Sequence, residues 1–151
     1  MSIRFMSPSA VMLMLTKNGS DGEEILLQKR KNTGFADGYY DFSASGHVEE
    51  NESLKEAMCR EAKEELNIII KPEELEFVCL IHKNIGNGIY INAYFKALNW
   101  VGNPIINEPN KIEELNWFNI NDLPANIIND RVDAIKNYQN NIKYSEFGWK
   151  K

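Results

Sequence analysis

Residues Gly46 to Ile68 read GHVEENESLKEAMCREAKEELNI, and the second half of this stretch is the strongest structural signal in the chain. Ser53 followed three residues later by Glu56 is a capping box, so a helix is expected to begin near Leu54. Leu54, Met58, Ala62 and Leu66 recur every fourth residue and mark the stripe that faces a core. Asn67 closes the helix, because Asn, like Gly, adopts the left-handed conformation in which helices end. On the same helix Glu61, Glu64 and Glu65 stand at i, i+3 and i+4, fanned over an arc of about 100°. Like charges at these spacings repel, and a bound cation offsets that cost. Hard divalent ions such as Mg²⁺ take oxygen ligands and keep waters and substrate phosphates in their shell. Taken alone, such a Glu triplet also fits a solvated helix face. Upstream, Gly46 lets backbone approach a ligand closely, and Glu52 and Arg60 are placed to pair across the junction between loop and helix.

Outward from this helix the chain reads mainly as strands. Val11 to Thr16 is a short apolar run, Asn18 to Gly22 a dense turn, and Glu24 to Arg30 a second strand, predicting a hairpin. Lys31 to Gly38 reads as a loop and Tyr39 to Gly46 as extended chain. After the helix come a short strand at Ile68–Ile70 stopped by Pro72, then strands at Phe77–Lys83, Ile89–Ala97 and Glu114–Phe118. Ile128, Val132, Ile135 and Tyr138 predict a second amphipathic helix between Ala125 and Asn140. Strands on both sides of one central helix, without regular βαβ alternation, point to an α/β fold with a mixed sheet between helices.

The 151 residues carry 17 Lys and Arg against 22 Asp and Glu, a net charge of −5. That length fits one domain spanning residues 1–151. The negative balance argues against a protein that grips nucleic-acid backbone by bulk charge, and no nucleic-acid partner is expected. Two cysteines, Cys59 and Cys79, are too few for a disulfide framework. No apolar run reaches the roughly 20 residues that cross a bilayer, and Met1-Ser2-Ile3-Arg4-Phe5 lacks the apolar core of a secretory signal. A cytoplasmic protein, monomer or homodimer, is the expectation.

Gly46–Ile68 closely resembles the Nudix box, G-x5-E-x7-R-E-U-x-E-E-x-G-U with U apolar. Eight of its nine defined positions match; Asn67 stands where the family has Gly. The flanks, with Trp117-Phe118 and Leu123-Pro124 after an acidic pair, are also similar to MutT-like Nudix hydrolases, as is the aromatic tail Tyr144–Trp149. The resemblance implies a Nudix-like α/β/α sandwich and hydrolysis of a phosphoanhydride in a small nucleotide substrate with Mg²⁺ or Mn²⁺. It implies Glu64 and Glu65 as metal ligands joined by the carbonyl of Gly46, with Glu61 a further ligand or the base that activates water. Glu52 and Arg60 become an orienting salt bridge. Glu114, or its neighbour Glu113, matches an extra metal-binding or base glutamate, or is an ordinary charge beside a strand. Arg30 resembles a phosphate-contacting residue, and Tyr40, with Tyr39 and Phe42, either stacks on a base or packs the core. His82 points into the pocket or into solvent, and the Phe147/Trp149 tail covers the cleft, a dimer seam or the core edge.

Two other readings stay beside this one. Asp41-Phe42-Ser43-Ala44-Ser45-Gly46-His47 resembles the segment before the box of isopentenyl-diphosphate isomerases, although Ser45 stands where those enzymes place a Cys. A non-catalytic Nudix-like nucleotide sensor is the other; such modules usually lose box carboxylates or gain a DNA-binding extension.

Overall fold

The computed structural model describes residues 3–149; Met1 and Ser2, read above as part of the chain start, lie outside them. The strands are β1 (Ser9–Met14), β2 (Thr16–Gly19), β3 (Gly22–Arg30), β4 (Tyr40–Phe42), β5 (Ala44–His47), β6 (Leu75–Asn84), β7 (Ile89–Ala97), β8 (Ile112–Asn119) and β9 (Tyr144–Phe147). The helices are α1 (Leu54–Leu66) and α2 (Asn129–Asn140), with a short 3₁₀ turn at Pro72–Glu74.

The strands divide into two sheets where the sequence suggested one. The first is mixed, in the order β5-β1-β7-β6-β9, with β1 parallel to β7 and β9 parallel to β6. The second is antiparallel and centred on β3, which pairs β2, β4 and β8. The predicted hairpin exists, but its first arm is Thr16–Gly19; the apolar run before it enters the other sheet. Side-chain alternation does not reveal which partner an apolar strand will take. Ile68–Ile70 contributes only a single bridge, Ile69 to Val101.

Two cores follow from the alternation. Val11, Leu13, Ala44, Ala93 and Phe95 meet the buried Ala57, Met58, Ala62 and Leu66 of α1. Met12, Met14, Tyr94, Cys79 and Ile81 meet Ile25, Leu27 and Phe42 of the second sheet and Ala134 and Ile135 of α2. The helices thus cover opposite sides of the strands, an α/β/α arrangement.

The helix boundaries are built locally. Ser53 Oγ accepts from the Glu56 N–H at 3.1 Å, and Glu56 Oε1 accepts from the Ser53 N–H at 2.8 Å. At the other end Asn67 has φ 55 and ψ 40, the left-handed conformation, and its N–H donates to the Lys63 carbonyl. Asn67→Ala is expected to cost about 1 kcal/mol in urea unfolding, while Asn67→Gly is tolerated, because only Gly and Asn take that backbone cheaply.

The aromatic tail covers neither the cleft described below nor the core centre. It forms β9 along the edge of β6, and Trp149 Nε1 donates to the His82 carbonyl at 2.8 Å. Gly148, at φ 78, passes so close to the Asn84 carbonyl that a Cβ would overlap it. The His82 ring lies 4.7 Å from that of Trp149, and His82 is not among the cleft-lining residues.

Candidate active site

A cleft of about 650 Å³ opens between the two sheets and the outer face of α1. Side-chain alternation selects its walls. Gln28 and Arg30 point into it from β3; Ala10, Met12, Ser45, His47, Tyr90, Asn92 and Lys83 line it from the first sheet; Arg60, Glu61, Glu64 and Glu65 line it from α1.

The acidic wall is organised by one cation. Arg60 donates from Nε to Glu52 Oε2 at 2.6 Å and from Nη2 to Glu52 Oε1 at 2.9 Å, a two-point pair. Its Nη1 reaches Glu61 Oε1 at 2.7 Å and Glu64 Oε2 at 3.3 Å, and Nη2 donates to the His47 carbonyl at 3.2 Å. Arg60 therefore ties the loop carrying Glu52, the end of β5 and α1 into one unit, and it relieves part of the repulsion among the glutamates. The Arg60 guanidinium holds the Glu52 carboxyl down to about 2, and Glu52 in turn raises Arg60 far above its usual value.

Glu65 is the most deeply placed of the three, only 8% exposed. Its Oε2 accepts from the Ser45 N–H at 3.0 Å and its Oε1 from the Gln28 amide at 3.2 Å. Burial pushes the Glu65 carboxyl up to about 9, and a hydrogen bond shared with Glu61 adds to that push; the Ser45 and Gln28 donors oppose it. Gly46 lies against this pair so closely that a Cβ would overlap the Glu61 carboxyl. Two adjoining carboxylates, one buried with a high proton affinity, and a bare backbone beside them form a hard-oxygen donor set. Such a set suits an ion that fills its remaining positions with waters and phosphates. Among the described residues no group of three or more His, Cys, Asp or Glu side chains is drawn close enough together to hold a metal ion.

Beyond the acids the cleft is cationic. Arg30 donates from Nη1 to Asp41 Oδ2 at 3.0 Å and from Nε to the Phe35 carbonyl at 2.8 Å. Arg131, at the start of α2, donates from Nε to Asp41 Oδ1 at 2.7 Å and from Nη1 to Asp130 Oδ2 at 2.6 Å. Lys83 Nζ donates to Asp130 Oδ1 at 3.0 Å. Sequence reasoning missed Gln28, Lys83, Asn92 and Arg131. The available signal was a polar residue at an inward position of an apolar strand or helix.

Glu114 and Tyr40 do not line the cleft. Both sit beside Lys29, the β3 residue whose side chain points away from the face carrying Gln28 and Arg30. Tyr40 donates its hydroxyl proton to Glu114 Oε1 at 3.1 Å and packs edge-on against Phe118 at 5.0 Å, a core role. Glu113 and Glu114 both pair with Lys29, at 3.1 and 3.5 Å. The two cysteines are apart from these groups, with burial pushing both thiols up.

The NUDIX domain family model matches residues 6–138. Among curated proteins, the chain is 28% identical over 120 residues to the NAD-capped RNA hydrolase NudC of Stutzerimonas stutzeri (strain A1501), covering 80% of this chain and 39% of that protein. It is 34% identical over 119 residues to putative nudix hydrolase 1 of Caenorhabditis elegans, covering 78% and 30%. The chain thus spans well under half the length of these relatives. Among solved structures, a MutT NUDIX hydrolase from Burkholderia pseudomallei superposes with a TM-score of 0.77 at 24% identity, covering 88% of this chain and 98% of that one. The NUDIX domain of Shewanella oneidensis NrtR complexed with ADP ribose superposes with a TM-score of 0.73 at 18% identity, covering 93% and 91%.

Proposed function

The chain belongs to the NUDIX domain family, and from that premise we propose that it is a metal-dependent hydrolase. Its substrate is a nucleoside di- or triphosphate-type compound, in which it splits a phosphoanhydride bond. The observation that carries this reading is the meeting of Glu61, Glu65 and Gly46 at one end of a cleft whose β3 wall bears Arg30. A polyanion bridging acid and base walls needs a cation on the acid side.

Glu61, Glu64 and Glu65, with the backbone at Gly46, would hold Mg²⁺ or Mn²⁺. The ion, when bound, neutralises phosphate charge and makes a bound water more acidic. Glu61 accepts the proton of the attacking water, and Arg60 fixes the position of Glu61 and Glu64 through its shared hydrogen bonds. Glu52 is the positioning residue for Arg60. Arg30, held by Asp41 and by the Phe35 carbonyl, orients the phosphate chain. Glu114 and Tyr40, paired to each other on another face, have no part in this scheme. The chain acts as one Nudix unit in the cytoplasm, as a monomer or homodimer. No helix among the described residues is long and apolar enough to cross a membrane.

The test is a panel of nucleoside di- and triphosphates, with ADP-ribose and NAD-capped RNA added because similar proteins carry those names, assayed with Mg²⁺, with Mn²⁺ and with chelator. Release of phosphate, pyrophosphate or nucleoside monophosphate that stops on chelation supports the proposal. Failure on every phosphoanhydride with metal present overturns it. Gly46→Ala should lower kcat about a hundredfold with an unchanged circular dichroism spectrum, because the added methyl displaces the Glu61 carboxyl by about an ångström.

A further inference from the structure

One part of the cleft has no role in that scheme. Asn92 is 4% exposed, lines the cleft, and its carboxamide makes no side-chain hydrogen bond among the described residues. No buried side-chain nitrogen or oxygen among those residues is left without a partner, so the Asn92 amide meets the cleft space itself. Lys83, 7% exposed, also lines the cleft, and among the described residues one of its three N–H donors is taken, by Asp130. The register puts Lys83 opposite Tyr90 and Asn92 opposite Ile81, so both side chains rise from the same face of the first sheet. An unpartnered amide and a lysine with spare donors, both buried and open to one cavity, are costly unless a ligand completes them.

Their place in the cleft sets what part of a ligand they meet. Across the first sheet the order runs β5, β1, β7, β6. Gly46 lies on β5 beside Glu61, while Lys83 lies three strands away on β6, about 14 Å at ordinary strand spacing. That leaves room for the sugar and base of a nucleotide whose phosphates sit at the acidic end. The chemistry between favours a flat, neutral ring over a second hydrated anion. Met12, Phe35 and Ile85 supply apolar wall, and the exposed Phe35 ring faces Lys83 Nζ at 5.6 Å. The positive charge of Lys83 and Arg131 is already met by Asp130 and Asp41.

We propose that Lys83 and Asn92 form a base-selecting pocket that takes the carbonyl-bearing edge of an oxo-nucleobase and disfavours the amino-bearing counterpart. This rests on the nucleotide reading above and deepens it. A lysine ammonium only donates, so it pairs with a ring carbonyl oxygen and repels an exocyclic amine. The Asn92 carboxamide oxygen accepts from the ring N–H that stands beside that carbonyl in the oxo bases, completing the pairing of the same edge.

Inosine and adenosine nucleotides differ on this edge by a carbonyl for an amine and by an N–H for a bare ring nitrogen beside it, and uridine and cytidine nucleotides repeat the contrast. Binding of IMP, AMP, UMP and CMP, followed by chemical-shift titration of the intact chain, reads the pocket without any hydrolysis. The oxo member of each pair should bind about tenfold more tightly or better, the size of one well-made base contact. Asn92→Leu should bring the IMP/AMP ratio to within about threefold of unity, the loss expected when one such contact is removed. Because the Asn92 side chain makes no hydrogen bond among the described residues, this variant tests the pocket even if Lys83→Met, which unbalances Asp130, folds poorly. Equal affinities within each pair, no binding of any of the four, or a ratio unchanged in Asn92→Leu would overturn the proposal. A clear oxo preference in binding, alongside no metal-dependent hydrolysis of any nucleotide, would sink the enzymatic reading and leave the pocket standing. Metal-dependent turnover indifferent to the base would do the reverse.

Discussion

Glu65→Gln is expected to lower kcat by about 10²- to 10⁴-fold with Mg²⁺ present, while changing the melting temperature by only a few degrees. The separation of the two effects follows from how Glu65 is held. Its two oxygens accept from the Ser45 N–H and the Gln28 amide, so a Gln side chain of the same shape keeps one of these bonds and strains the other. One weakened hydrogen bond is worth about 1 kcal/mol, or roughly 2–4 °C in a chain of this size. What the substitution removes is a carboxyl beside Glu61 that a bound cation would ionise, at the edge of the cleft. Mn²⁺-induced broadening of nuclear resonances from Ser45 and Gly46 gives an independent reading and should weaken with activity. Glu64→Gln should show the same pattern with an even smaller stability change, since Glu64 is half-exposed and shares only Arg60 at 3.3 Å. Full turnover in both variants would mean that these carboxylates do not hold the ion.

How much of this was legible in the sequence depended on the separation of the groups along the chain. The limits of α1 were readable to the residue, because Ser53, Glu56 and Asn67 act through bonds that span three or four positions. The Glu52–Arg60 pair was readable for a similar reason, only eight residues apart across the start of α1. The two-sheet division was not, since Val11–Leu15 is equally apolar whichever strand it joins, and only its pairing with Ile91–Lys96 some eighty residues later decides it. The cationic floor was hidden by the same distance. Arg131 meets Asp41 across 90 positions, and Lys83 meets Asp130 across 47. The resemblance to Nudix hydrolases also gives Glu114 a metal-binding or base role beside the reading as an ordinary charge, and Tyr40 reads as a base-stacking ring or a core aromatic. Strand alternation turns them, with Lys29, to the face opposite Gln28 and Arg30.

That hidden floor supplies the largest expected effect on stability. Asp41 is fully buried and lies between Arg30 Nη1 at 3.0 Å and Arg131 Nε at 2.7 Å. Asp41→Ala therefore leaves Arg131, itself 5% exposed, with one carboxylate in place of two, and frees Arg30 from its anchor. Removing one member of a buried ion pair costs about 3–5 kcal/mol, because the remaining charge is neither hydrated nor matched. The melting temperature should fall by about 10 °C or more. Arg131→Met should cost less, since Asp41 keeps Arg30 and Asp130 keeps Lys83, and the double variant should cost less than the sum of the two. The same cluster gives the acid side of the stability curve its sign. Burial works to raise the Asp130 carboxyl, but Arg131 and Lys83 outweigh it and hold the group below its usual value. A carboxyl lowered on folding contributes stability that is present above the ordinary carboxylate range and is lost as pH falls through the folded value. The intact chain should lose stability as pH falls below about 4, where an unfolded Asp begins to bind its proton. In Asp130→Asn this contribution to the acid slope should be absent, and an acid limb as steep as that of the unaltered chain would show that Arg131 and Lys83 do not hold Asp130 ionised.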